Sequence, residues 1–127
     1  IKHPLLPKKL ENPTISREEN NELCDDSITV HLLIENKKLT DFSYEGDLSM
    51  TALWSVSLLH DILIWMTIPA ILDLHYADMV EEGVKVSMKR QKTAALPLVA
   101  IINACKHHIW QTTKVDIEHF AYADDII

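Results

Sequence analysis

The sequence holds two cysteines, and the side chains around them are where metal or nucleophile chemistry would be sought first. Cys105 stands in the run Cys105-Lys106-His107-His108. On a helix Cys105 and His108 share a face while His107 points elsewhere, so the local set falls short of the donors a zinc ion needs. The expected role is a buried cysteine beside surface histidines. Cys24 lies far off in the chain, and neither cysteine has the CxxC or Cys/His spacing of a self-contained zinc module. His60 and Asp61 are neighbours on a predicted helix, where adjacent side chains do not face each other, so they read as a wet strip rather than an acid–base pair. No glycine-rich phosphate loop or Ser/His/Asp constellation is legible, and an enzyme is not expected.

The elements that would position these residues follow from period and punctuation. Pro4, Pro7 and Pro13 each fix φ and remove an N–H, which predicts an extended N-terminal arm with short turns over residues 1–26. From Ser27 the period is two: Ile28, Val30, Leu32 and Ile34 point one way, Thr29, His31 and Leu33 the other. A polar turn at Glu35-Asn36-Lys37-Lys38 then returns the chain as a second strand, Leu39 to Glu45, antiparallel to the first. Gly46 and Asp47 end it, and Leu48 to Leu53 is expected as a third short strand.

Ser55 to Met66 reads as a helix with Val56, Leu59, Leu63 and Met66 on one face and Ser57, His60 and Asp61 as a narrow polar strip. Pro69 opens a further helix through Val80. Ser87 caps a long one reaching about Trp110, which Pro97 bends, and a last amphipathic stretch begins at Val115. Three strands followed by helices predict an α+β class: a small three-stranded antiparallel sheet covered on one face by helices.

Composition sets outer limits. A chain of 127 residues is the size of a single domain spanning 1–127, long enough to bury roughly two thirds of its extended surface without a staple. A formal charge of −7, with scattered lysines, argues against a nucleic-acid groove. His60, Asp61, Asp73 and Asp78 interrupt the apolar stretch from Met50 to Val80 before it reaches the roughly 18 residues of a membrane span. The first residue is Ile1, consistent with a trimmed start, and no basic-then-apolar leader opens the sequence; the expected compartment is the cytosol.

Three tracts carry a resemblance: Asn21-Glu22-Leu23-Cys24-Asp25-Asp26; Phe42-Ser43-Tyr44-Glu45-Gly46-Asp47-Leu48-Ser49 running on to Ser55-Val56-Ser57-Leu58-Leu59; and Lys89-Arg90-Gln91-Lys92-Thr93-Ala94-Ala95-Leu96-Pro97. In order and spacing they resemble the NifU/IscU-type iron–sulfur scaffold domain, in which a Cys-Gly-Asp, a Gly-x-Gly-Cys and a His-or-Lys-Cys tract converge on one metal site. The resemblance implies a carrier that assembles a two-iron two-sulfur cluster, binds iron or zinc, and takes sulfur from a cysteine desulfurase or works with another assembly protein. Carried over position by position, Cys24 would be a ligand and Asp26 the tuning carboxylate. Ser49 falls where the second thiolate belongs, Thr93 where the third belongs, and Lys92 where some relatives place a histidine. Hydroxyls stay protonated at neutral pH and are far poorer ligands than thiolates, while an ammonium donates and cannot ligate. Asp25 replaces the family's glycine, and Val86-Ser87-Met88-Lys89-Arg90 lacks the Leu-Pro-Pro-Val-Lys run that some members offer to a chaperone.

Two functions compete on this reading. One is an iron–sulfur scaffold or carrier with a degenerate metal site, in which Lys92 approaches Asp26 or Asp25 where a metal would otherwise neutralise them, and in which Cys24 accepts sulfur. The other is a cluster-free module of the same fold, binding a partner or a second copy of itself through an apolar surface around Leu58, Trp65 and Ile68.

Overall fold

The computed structural model describes residues 10–21, 26–46, 48–81 and 91–109, with Asn21 and Asp26 by backbone alone. Three strands, β1 (Ile15–Asn21), β2 (Asp26–Glu35) and β3 (Lys38–Glu45), form one antiparallel sheet in the order β1-β2-β3. Four helices follow among these residues: α1 (Met50–Leu63), α2 (Ile68–Leu72), α3 (Tyr76–Glu81) and α4 (Gln91–His108). The expected α+β class and three-stranded antiparallel sheet are present.

The β2–β3 hairpin is where sequence and structure agree most closely. Ile28, Val30 and Leu32 of β2 and Phe42 and Tyr44 of β3 are fully buried in a core shared with the helices. Asn36 and Lys37, both at positive φ (53° and 65°), make the two-residue turn whose twist suits a hairpin. A bulge between Leu33 and Ile34 shifts the register, so that Leu39 and Phe42 both reach the core.

The third strand lies elsewhere than predicted. Residues 48–53 do not form a strand: Ser49 caps α1, its hydroxyl accepting from the Ala52 N–H at 3.3 Å, and Ala52, Val56, Leu59 and Leu63 form the buried helical stripe. The sheet is completed by β1, inside the stretch expected as an extended arm with short turns. Its inward positions are Ile15, Arg17 and Glu19, too polar to show a hydrophobic period. Glu19 is tolerated there because its Oε1 accepts from Arg17 Nε at 3.1 Å and from Asn103 Nδ2 of α4 at 3.0 Å.

α4 is the central helix. Thirteen consecutive residues, Thr93 to Cys105, are buried, as for a helix covered on every side. It packs on β1, β2, α1 and α2. Pro97 lies inside it, so the Thr93 carbonyl cannot receive the usual helical N–H from four residues on. Next to that gap Ser55 of α1 donates to the Ala94 carbonyl at 2.6 Å. The helix predicted to run from Pro69 to Val80 is broken at Asp73 to His75, where Asp73 ends α2 and the Asp78 carboxylate accepts the His75 N–H at 2.8 Å. The predicted Ser87 cap and the stretch from Val115 fall outside the described residues.

Between α1 and α2 the chain doubles back on β3. Trp65 N–H donates to the Leu39 carbonyl (2.7 Å), Leu39 N–H to the Met66 carbonyl (2.9 Å), and Ile68 N–H to the Lys37 carbonyl (2.9 Å), with Lys38 and Thr67 bridged. Trp65 takes φ = 76° to make this strap and is itself 68% exposed.

Candidate functional site

The tract positions sit at three junctions of the fold. Cys24 and Asp25 belong to the connection between β1 and β2, outside the described residues; Asp26 is the first residue of β2, paired with Asn21. The tract that follows β3 approaches the same sheet end. Gly46, at φ = 135°, runs so close to β2 that a Cβ there would meet the Ser27 carbonyl oxygen at 2.3 Å and Ile28 Cα at 3.1 Å. Only glycine accepts both that conformation and that approach.

Three residues on, Ser49 is exposed and its hydroxyl serves the α1 N-terminus. Lys92 and Thr93 lie in the first turn of α4, Lys92 half-buried and Thr93 buried. The Ser55–Ala94 hydrogen bond ties that turn to α1, six residues beyond Ser49, a rise of about 9 Å. Beside them Gln91 holds its Oε1 buried, with no hydrogen-bond partner among the described residues. The chemistry at Ser49, Gln91 and Thr93 is therefore that of hard oxygens, two hydroxyls and an amide, whereas an iron–sulfur cluster takes soft thiolates.

Among the described residues no group of three or more His, Cys, Asp or Glu could hold a metal ion. The Cys105 run behaves as the spacing predicted: Cys105 is fully buried, its thiol pushed up by desolvation from 9.0 to about 12, while His107 is exposed. His60 is not paired with Asp61. Its Nε2 lies 3.2 Å from Asp41 Oδ1 and its ring packs against Phe42, with centroids 5.1 Å apart. Of the apolar surface expected around Leu58, Trp65 and Ile68, only Trp65 is exposed; Leu58 is half-buried, and Ile68 is buried in the core because the strap draws it in.

Sequence reasoning missed a second polar constellation, on the sheet face opposite the large apolar residues. His31 is 4% exposed. Its Nδ1 lies 2.7 Å from Ser16 Oγ on β1 and its Nε2 2.6 Å from Glu45 Oε2 on β3. The available signal was the second period-two set of β2, which already placed His31 away from Ile28, Val30 and Leu32.

Neither a family model nor a curated protein matches the sequence. Solved structures do. One is a protein named as an iron–sulfur cluster assembly scaffold for the SUF system, from thermophilic Fervidobacterium islandicum AW-1, with TM-score 0.68 and 20% identity over 79% of this chain and 86% of that one. The fold is that of the NifU/IscU-type scaffold domain. The N-terminal part of a nitrogen-fixing NifU-like protein from Brucella abortus shares it with TM-score 0.61 and 21% identity, over 82% of this chain and 84% of that one. No helix among the described residues of this NifU/IscU-like fold is long and apolar enough to cross a membrane.

Proposed function

We propose that this chain is a scaffold- or carrier-like protein of iron–sulfur cluster assembly whose metal site has degenerated. The observation that carries the reading is the match of fold to structures named as such scaffolds, with oxygen side chains at two of the three thiolate positions. Cys24 and Asp26 retain family ligand positions; Ser49, Lys92 and Thr93 are substituted ones. A site with one thiolate holds a cluster or zinc weakly, and Lys92 offers a fixed positive charge to Asp25 or Asp26 where a metal would stand. The role is that of a non-enzymatic carrier in the cytoplasm, working with a cysteine desulfurase or another assembly protein.

Anaerobic reconstitution with iron and sulfide, read by elemental analysis and by thiolate-to-iron absorption, tests this. The native chain is expected to remain nearly colourless, while Ser49→Cys/Thr93→Cys gains about one cluster or zinc per site. Stoichiometric tight loading of the native chain that Cys24→Ser abolishes would show an intact site and remove the degeneracy. Failure of the double variant to load, with its fold unchanged, would remove the placement of the ligand positions.

A second reading has its own observation: Met50 and Trp54, exposed at 61% and 37%, lie one helical turn apart on α1, and Trp65 is exposed at 68% beyond its end. On that reading the chain is a cluster-free binding module, and a metal-free protein that self-associates would favour it.

A further inference from the structure

Ser16 and His31 lie outside the three tracts, and Glu45, though within the second, stands at none of the family ligand positions. Ser16 pairs with His31 five positions along the ladder from the Asn21–Asp26 pair, about 17 Å at strand rise. A carboxylate can only accept, so Glu45 fixes the proton of neutral His31 on Nε2. Nδ1 is then a bare acceptor, and the Ser16 hydroxyl donates to it across 2.7 Å. The imidazole is buried and bonded at both nitrogens, whereas Ser16 is exposed to solvent and the Glu45 side chain is 49% exposed. A hydroxyl nucleophile within reach of a base that a third group orients is the arrangement that activates serine on unrelated folds.

We propose that Ser16 is an acyl-accepting nucleophile, with His31 as its general base and Glu45 as the positioning residue, and that its substrates are activated carboxylic esters. The Ser16 Oγ–H proton passes to His31 Nδ1 as Oγ bonds to the acyl carbon. The carbon–oxygen bond to the leaving alcohol breaks, and that alcohol takes up the proton from His31. Nothing is oxidised or reduced, and no metal is required. This reactivity is independent of the iron–sulfur reading, since none of the three residues stands at a family ligand position.

p-Nitrophenyl acetate is the probe, with nitrophenolate release followed by absorbance and the adduct located by peptide mass spectrometry. The expected result is a burst of about one nitrophenolate per chain, with the acetyl group on Ser16. Acetylation of surface lysines in the same sample gives an internal reference that a merely structural change does not move selectively. Relative to that reference, labelling disappears in Ser16→Ala, falls about 100-fold in His31→Gln and about tenfold in Glu45→Gln, and is retained in part by Glu45→Asp. Because Ser16 and Glu45 are exposed, their variants keep the test decisive if His31→Gln does not fold. Acetyl groups on lysines alone, or Ser16 labelling unchanged in Glu45→Gln, would overturn the proposal.

Discussion

Replacing Gly46 by alanine should destabilise the fold more than any other one-carbon addition to the β2–β3 sheet end. Two costs combine. The residue holds φ = 135°, outside the range that side-chain-bearing residues adopt readily, which costs about 1–3 kcal/mol. The added methyl carbon would also stand 2.3 Å from the Ser27 carbonyl oxygen, well inside contact distance. That neighbour is ladder backbone and cannot rotate away, so β2 or the end of β3 must move, at a further cost of about 1–3 kcal/mol. The sum, about 2–6 kcal/mol, is a large part of a typical stability of about 5–15 kcal/mol. Urea unfolding followed by circular dichroism should show the midpoint falling by about 1–3 M at unchanged slope, given a slope of about 2 kcal/mol per molar. A loss below about 0.5 kcal/mol would refute the reasoning, because neither the conformation nor the close approach would then be constraining the chain.

Other outcomes follow from single groups. Cys105 in a Cys24→Ser background should react with a disulfide reagent at neutral pH only on unfolding, since desolvation holds the folded thiol protonated up to about 12; free-thiol rates in the folded protein would contradict its burial. The same group sets an alkaline limit: the folded pKa lies above the unfolded 9.0, so its stabilisation is complete below pH 9 and is lost between pH 9 and about 12. That loss approaches about 4 kcal/mol, the Tyr44 phenol, also raised by burial, adds in the same direction, and an alkaline slope unchanged in Cys105→Ala would refute the assignment. Ser55→Ala should cost about 0.5–1.5 kcal/mol in a melt, because it removes a buried hydrogen bond from α1 to α4; a neutral effect would mean that this bond does not hold the two helices together. Trp65→Gly should be neutral or stabilising by about 1 kcal/mol, since it relieves the positive φ of an exposed side chain; a loss above about 1 kcal/mol would show that the indole packs productively.

The parts of the fold written in apolar period were legible. Ile28, Val30 and Leu32 announce β2, and Val56, Leu59 and Leu63 announce the core face of α1. The misplaced third strand has a physical cause: β1 earns its position through Glu19, Arg17 and Asn103, a polar contact between residues far apart in sequence, while residues 48–53 carry enough apolar character to imitate a strand. Ser49 tips that segment to helix by capping it, a signal present in the sequence. The burial of Ile68 is not legible locally, because the strap that buries it depends on a positive φ at a tryptophan, which no local pattern announces. The site divides similarly. The tract positions rest on resemblance alone, whereas the contacts of His31 depend on cross-strand register.

The strap of residues 65–68 also determines how this molecule can meet others of its kind. An edge strand with free amides and carbonyls is a template for a foreign strand, and an exposed β3 would invite stacking of sheets into aggregates. By occupying Lys37 and Leu39, and by bridging Lys38 to Thr67, the strap closes the start of that edge. The opposite edge among the described residues, β1, carries the exposed Glu18 between the inward-pointing charges Arg17 and Glu19, which resist desolvation by a neighbouring strand. Weakening the strap would therefore open β3 as a seed for sheet growth before it unfolded the core.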